Sequence, residues 1–500
     1  MITHRMRAPR PTTALEQAYE RIAADLPHEY PAAALAEAQD AVAALTDPHT
    51  PGYDGIEQPR EDLTALPFIT IDPDGATDLD QAMHLSNSPV EGARWRVHYA
   101  IADVGRFVRP GGALDAETRE RGLTEYLPDR RIPLHPPVIS EGAASLLPGT
   151  VKAAYVYIVD LAESGEIVAQ DLVRAVVRSV EQLDYDTVQE AHDAGRPLHP
   201  SMAALPEIGA ALLAQERARG GIDLAIPDQE VTRVQEATRD DESTYTLAFR
   251  PRREIEDANA QISLLAGRVA AALMLAAGHG ILRTLPRPDD ATIAEFAAVV
   301  AALGFDASGT YQEILALIDH TGGDPAALAV HYASPMLFRG AGYTEITAEL
   351  GEEETVQAAV GAPYAHTTAP LRRLVDRFVL PLAWAAAQGV EAPEWARTAL
   401  PELPDLTNSA GSRSRKVENA VIEATEAVLL ADRMGETFDG VVVSQRDATE
   451  QRAARFEVHF PEPAIVAFVD GEAEVGSRVS LVLSSVDVES GQVEFVPAER

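Results

Sequence analysis

The stretch Phe68-Ile-Thr-Ile-Asp-Pro-Asp-Gly-Ala-Thr-Asp-Leu-Asp-Gln-Ala82 constrains this chain more than any other. The apolar run Phe68 to Ile71 reads as a buried strand, and Asp72-Pro73-Asp74-Gly75 ends it, because Pro and Gly are turn formers. A strand therefore delivers Asp72, Asp74, Asp78 and Asp80 into a loop, four carboxylates within nine residues. At neutral pH such a loop repels itself unless cations sit among its oxygens. An oxygen-only donor set favours a hard ion, Mg²⁺ or Mn²⁺, over zinc. From residue types alone the alternative is a solvated acidic turn.

The rest of the chain reads as mixed α and β. Residues 14–26 and 32–45 are rich in Ala and Glu, with Pro27, Pro31 and Pro48 between and after them, which predicts a small helical unit. Residues 50–60, carrying Pro51, Gly52 and Gly55, read as a linker. Trp95 to Asp103 is a central strand by its apolar run, with Asp103 as a structural carboxylate at its end. A Pro-Gly-Gly turn follows, then a helix over 114–121. Segments 151–161 and 171–180 alternate as antiparallel strands, and Leu183-Asp-Tyr185 leads into a helix. Residues 219–224 and 245–249 read as further strands, Glu254 opens a long helix to about Ala277, and 290–335 reads as helical packing. After Pro370 the repeat Leu374, Phe378, Leu382 predicts a helix that packs one face while Arg372 points elsewhere. A polar break over 407–414 precedes a helix over 415–434, and five short strands fill the last 65 or so residues.

Composition limits what this architecture can do. The 500 residues carry a formal charge of -37, which argues against a general nucleic-acid coat, since nonspecific affinity grows with the phosphates that Lys and Arg neutralise. Any RNA must bind in a local channel. The chain has no cysteine, which excludes disulfides and thiolate metal sites and suits a reducing cytoplasm. No apolar segment follows Arg5, Arg7 and Arg10, so no secretory signal is expected, and the apolar segments are too interrupted for membrane spans.

The acidic string resembles the signature of the RNase II (RNB) family of 3′-to-5′ exoribonucleases, in which a strand ending Thr-Ile-Asp precedes an aspartate cluster that holds Mg²⁺. Asp72, Asp78 and Asp80 match three of the four aspartates. Gln81 stands in place of the fourth, where its oxygen can still ligate but brings no charge. Tyr364-Ala-His-Thr-Thr-Ala-Pro-Leu-Arg-Arg373 is similar to the family's Tyr-x-His-x-Thr-Ser-Pro-Ile-Arg-Arg, which implies Arg372 on the scissile phosphate and Arg373 beside it on the RNA. His366 within it reads as structural, having no zinc-type spacing and no nucleophile partner.

Tyr126 opens a segment like the family's Tyr-Leu-Pro loop, which implies a base-stacking role. Tyr185 has two readings, a ribose 2′-OH contact or a helix-start packing residue. Glu256 with Asp257 resembles an Ile-Glu-Glu that faces the nucleotide, although Asn259 and Ser263 depart from the residues that usually follow. Tyr99 and Ala100 likewise alter the opening of a His-Ile-Ala-Asp-Val strand. Glu418 lies where the family has a glutamate, so it joins the RNA-binding set, with an exposed helical Glu as its alternative. The five C-terminal strands resemble the OB-type RNA-binding module that closes the family. The cold-shock domains usual at the front are missing, and the helices there serve either as a packing accessory or as an RNA-contacting wedge.

The resemblance covers roughly residues 62–500. It implies an α+β fold: an RNB-type catalytic domain with a mainly antiparallel sheet over 61–434, a C-terminal OB-fold barrel over 435–500, and the helical unit with its linker over 1–60. The implied activity is processive 3′-to-5′ hydrolysis of single-stranded RNA to 5′-mononucleotides. In it Asp80, Asp78 and Arg372 are catalytic, and Asp72, Asp78, Asp80 and Gln81 hold Mg²⁺ or Mn²⁺. The expected partner is the 3′ end of single-stranded RNA, with no membrane, no protein partner and a monomeric chain. Two other classes stay open: an inactive RNA-binding relative, favoured by Gln81, and a helical scaffold with a metal-stabilised loop.

Overall fold

The computed structural model describes residues 12–222, 229–235, 243–250, 253–318, 323–449 and 453–498. Six strands form the main sheet, in the spatial order Glu61–Asp62, Ile167–Asp184, Phe68–Asp72, Gln81–Asn87, Trp95–Ala102 and Val151–Leu161. Ile167–Asp184 runs parallel to Glu61–Asp62 and to Phe68–Asp72, and every other pairing is antiparallel. That long strand pairs through its first part with Val151–Leu161 and through its end with Phe68–Asp72, so the sheet closes on itself. Closure leaves Asp72 beside Asp184 at one end of the ring, where the acidic loop departs.

The period of two along each strand sorts side chains by size. Ile69, Ile71, Met83, Tyr99, Ile101 and Tyr157 share one core with Ile262 and Val269 of helix Glu254–Ala277 and with Phe378 and Leu382 of helix Leu374–Gln388. On the opposite face Ala82, Ala100, Ala102, Ala154 and Ala175 form a second core with Ala38 and Ala41 of helix Ala32–Ala44. Large residues fill the space under long helices, and alanines let a short helix lie close. Helix Glu254–Ala277 is long and apolar enough by composition to cross a membrane. Its apolar positions, from Ile255 to Met274, are buried in this core instead.

The N-terminal helices are bolted on. Tyr19 of helix Thr12–Ala23 bonds Thr425 at 2.7 Å and meets the Tyr245 ring edge-on, while Glu37 accepts from Ala113 N at 2.7 Å and so caps the next helix, Ala113–Arg121. These contacts are those of a packing accessory. The stretch 50–60, read as a linker, is likewise fixed: Arg60 donates to Asp103 at 2.7 Å, and Arg174 donates to Asp103 at 3.1 Å and to Asp54 at 2.8 Å, all with buried side chains. Asp103 is thus a structural carboxylate.

Two sequence expectations fail. Residues 219–222 turn out of a helix instead of forming a strand, with 223–224 outside the described residues. The polar stretch 407–414 does not break a helix but lies within helix Leu403–Leu430. Thr407 tolerates this position by donating its hydroxyl back to Leu403 O at 2.6 Å.

The C-terminal sheet has five antiparallel strands, in the order Ile465–Asp470, Arg455–Phe460, Thr437–Arg446, Arg478–Asp487 and Gln492–Pro497. Its core centres on Phe438, Phe460 and Phe495, the last two stacked with centroids 4.8 Å apart.

Candidate active site

Two segments far apart in sequence meet at the end of the ring. Asp80 Oδ1 accepts from Leu371 N at 2.7 Å, and its Oδ2 lies 3.3 Å from Arg372 Nε. Gln81 donates from Nε2 to Thr368 O at 2.6 Å. The loop 364–373 is fixed from behind as well. Ala365 N donates to Gly267 O at 3.1 Å, and a Cβ on Gly267 would stand 2.1 Å from the Tyr364 ring, so only glycine permits this approach. Ala369 N donates to Asp376 Oδ1 at 2.7 Å.

The two arginines at the end of this loop part company. Arg373 is extended (φ -129°, ψ 124°), so neighbouring side chains point to opposite sides. Arg372 faces the acidic loop with 48% of its side chain exposed, whereas Asp80 keeps 4%. Arg373 turns away and pairs with the fully buried Asp376 at 3.0 and 2.8 Å. The expectation of Arg373 on the RNA therefore needs correction: its guanidinium is committed to a bidentate pair that fixes the start of helix Leu374–Gln388.

The acidic loop also differs from a ready-made metal cage. Asp78 accepts from Tyr126 Oη at 2.9 Å and from Arg131 at 2.6 Å, so both its oxygens are engaged. The loop's self-repulsion is relieved by Arg131 and Arg372, a pair of cations that charge counting within the loop could not supply. Asp74 is exposed. Among the described residues no three acidic or histidine side chains form a closed metal cluster. Asp78 thus positions Tyr126 and Arg131.

Asp72 and Asp80 remain suited to a metal. Asp72 Oδ2 is buried without a hydrogen-bond partner, an arrangement that costs free energy unless a cation takes it up. Burial pushes Asp72 up to about 7 and Asp80 up to about 8, against the pull of Arg372 in both cases. One or two carboxylates are what Mg²⁺ commonly takes from a protein, with waters and substrate phosphates completing its shell. The residues present therefore fit a divalent ion.

Gln81 is the largest departure from expectation. Besides donating to Thr368, it accepts from Tyr99 Oη at 2.6 Å, and Tyr99 Oη lies 2.8 Å from Ser263 Oγ. Both ends of its carboxamide are in use, so Gln81 is a clasp between sheet and loop and not a spare ligand. Tyr99 and Ser263, which depart from the family pattern in sequence, are the residues that complete this clasp. That coincidence is the signal the sequence offered.

Tyr126 is 52% exposed, with its hydroxyl anchored on Asp78 and its ring free. Tyr185, at the start of helix Tyr185–Asp193, accepts from Asn259 Nδ2 at 2.7 Å, and Asn259 Oδ1 is buried and unpartnered. Glu256 sits in the first turn of helix Glu254–Ala277, ion-paired to Arg250 and, at 3.6 Å, to Arg253. That pairing is natural for a first-turn acid. Glu418 lines a separate cavity against the C-terminal sheet, away from the acidic loop. His366 is half-buried with Nδ1 2.7 Å from Tyr343 Oη, a structural imidazole.

Residues 60–388 match the family described as RNB domain, and residues 436–498 match the RNase II-type exonuclease C-terminal S1 domain. Ribonuclease R of Vibrio cholerae is 26% identical over 442 residues, 84% of this chain and 51% of that protein. Inactive exonuclease DIS3L2 of Arabidopsis thaliana is 32% identical over 366 residues, 67% of this chain and 34% of that protein. The chain therefore spans about half the length, or less, of these curated relatives. Mycoplasma genitalium RNase R, solved with ribose methylated single-stranded RNA, shares the fold at a TM-score of 0.80 and 19% identity, covering 98% of this chain and 79% of that one. A strand that ends in Asp72, a loop tied to Arg372 and a family match over more than half of the residues lead to one conclusion: the chain belongs to the RNB domain family.

Proposed function

We propose that the chain is a processive 3′-to-5′ exoribonuclease that hydrolyses single-stranded RNA to 5′-mononucleotides with Mg²⁺ or Mn²⁺. The observation that carries this reading is the meeting of Asp80 with Arg372 at 3.3 Å beside the unpartnered buried oxygen of Asp72. Asp72 and Asp80 would hold the ion. A bound ion supplies an activated water and neutralises phosphate oxygens. Arg372, tethered yet half exposed, offsets the charge that develops on the phosphate. Tyr126 stacks the terminal base, and Asp78 holds its hydroxyl so that the ring stays in place. Tyr185 reaches the ribose through the hydroxyl that Asn259 orients. The absence of cysteine suits work in a reducing cytoplasm.

A second reading, a catalytically impaired RNA-binding relative, is favoured by the engaged carboxamide of Gln81. Purified chain incubated with 5′-labelled single-stranded RNA and Mg²⁺ or Mn²⁺ separates the two. A ladder that shortens from the 3′ end supports the enzyme, and a gel shift without shortening supports the binder.

A further inference from the structure

On the side of the loop opposite Arg372, a cleft of about 390 Å³ opens between strands Gly280–Thr284 and Gly342–Ile346 and the helices Leu374–Gln388 and Leu403–Leu430. Arg283, Arg373 and Arg415 line it, together with Asn408, and no Asp or Glu does. In a chain with 78 acidic against 41 basic residues, such a lining is far from the average surface. Arg373 is neutralised by Asp376, but among the described residues neither Arg283 nor Arg415 has a carboxylate partner. The Arg283 guanidinium lies over the Tyr343 ring, 4.8 Å from its centroid, which holds it at the cleft. Leu374 and Val375, the first residues of helix Leu374–Gln388, complete the wall, but Leu374 N donates to Gly122 O at 3.0 Å and Asp376 lies in the first turn, so the arginines supply the positive field here.

We propose that this cleft is a phosphate subsite. The carrier of the phosphate is either the backbone of bound RNA or a released 5′-mononucleotide, and only this choice rests on the proposed function. Two guanidiniums without a carboxylate partner suit a phosphate better than an apolar ligand. Arg373 lines this cleft while its neighbour Arg372 faces the acidic loop, so the two sites are adjacent in the chain.

Two titrations of the full chain, in chelator so that no hydrolysis occurs, test the proposal. Adenosine 5′-monophosphate is titrated into wild type, Arg283→Gln/Arg415→Gln and Arg372→Gln, and a short single-stranded RNA into the same set. Where the subsite takes released nucleotide, monophosphate affinity falls about tenfold or more in the double variant, over and above the loss in Arg372→Gln that reports the reacting-phosphate site. Where it takes RNA, the RNA affinity falls and its salt dependence flattens by about one phosphate per arginine removed. Arg415→Gln alone, on an exposed helical position, gives the same direction should the double variant melt early. Unchanged affinity for both ligands in the Arg283→Gln/Arg415→Gln variant overturns the subsite. A chain that binds monophosphate here yet leaves RNA intact with metal would sink the nuclease reading and leave the subsite standing.

Discussion

Helix Leu403–Leu430 borders two clefts of opposite character. Its first half contributes Thr407, Asn408, Gly411 and Arg415 to the basic cleft, whose lining has three arginines and no acid. Its second half contributes Glu418, Glu423 and Glu426 to a cavity of about 730 Å³ against the C-terminal sheet, which also receives Glu230 and Glu457 and a single arginine, Arg250. The sign changes between Arg415 and Glu418, within one helical turn. A net charge of -37 thus averages over neighbouring surfaces that act on phosphate in opposite ways. The catalytic candidates lie beside the basic side, and the five-stranded module expected to grip RNA meets the helix across the acidic one.

The comparison assigns chemistry to the acidic loop and to neither cleft, and Asp80→Asn tests that most severely. Hydrolysis should fall by about a thousandfold or more while RNA affinity stays within about twofold, since the change removes charge from the metal site but no base contact. Residual activity near wild type would move the reaction elsewhere.

Gln81→Asp comes next. A carboxylate there cannot donate to Thr368 O and sets two oxygens against each other, so turnover should drop about tenfold, or about 1.4 kcal/mol, with a lower melting temperature. The Mn²⁺ concentration for half-maximal activity should not fall. A lower metal requirement would show that Gln81 faces the ion after all, as a count of charges alone expects.

The acidic side is sharpened by Glu418→Gln. If that cleft repels RNA, affinity should rise by about twofold at low salt and the gain should vanish at high salt, where the Debye length is about 3 Å. A loss of affinity would instead make Glu418 an RNA contact.

The smallest effect concerns Glu426, buried, accepting from Gln229 at 2.6 Å, and pushed up from 4.5 to about 8 by burial. A carboxyl raised on folding stabilises fully below its unfolded value and loses that contribution as pH rises through the folded one. The melting temperature should therefore decline between pH 4.5 and 8, and Glu426→Gln should flatten that decline. Parallel profiles for the two chains would mean that Glu426 titrates normally.

Much of this architecture was legible in the residues. The strand Phe68–Asp72, the helix Glu254–Ala277 and the five C-terminal strands follow from apolar periodicity and from Gly and Pro punctuation. The two motifs implied one shared site, and the structure brings Asp80 within 3.3 Å of Arg372, a contact the sequence did not indicate. What stayed hidden depends on which way a side chain turns. Arg131 lies five residues after Tyr126, yet only tertiary packing brings it to Asp78. Arg373 looked equivalent to Arg372 until the extended backbone sent them apart. The polar run 407–414 looked like a break because back-bonding hydroxyls inside a helix leave no trace in a hydropathy pattern.

The buried ion pairs around Asp103 bear on where this protein can be cut. Family similarity begins at residue 60, but Arg174 relies on Asp54 and on Ile56 O, and Thr50 O accepts from both Arg60 and Arg106. The edge of the RNB domain match and the folding border therefore differ by about ten residues. A chain trimmed to start at residue 60 would leave Arg174 one carboxylate short in the protein interior, a loss of about 3 to 5 kcal/mol. One trimmed before residue 50 keeps the whole set, and a melting comparison of the two lengths would place the border.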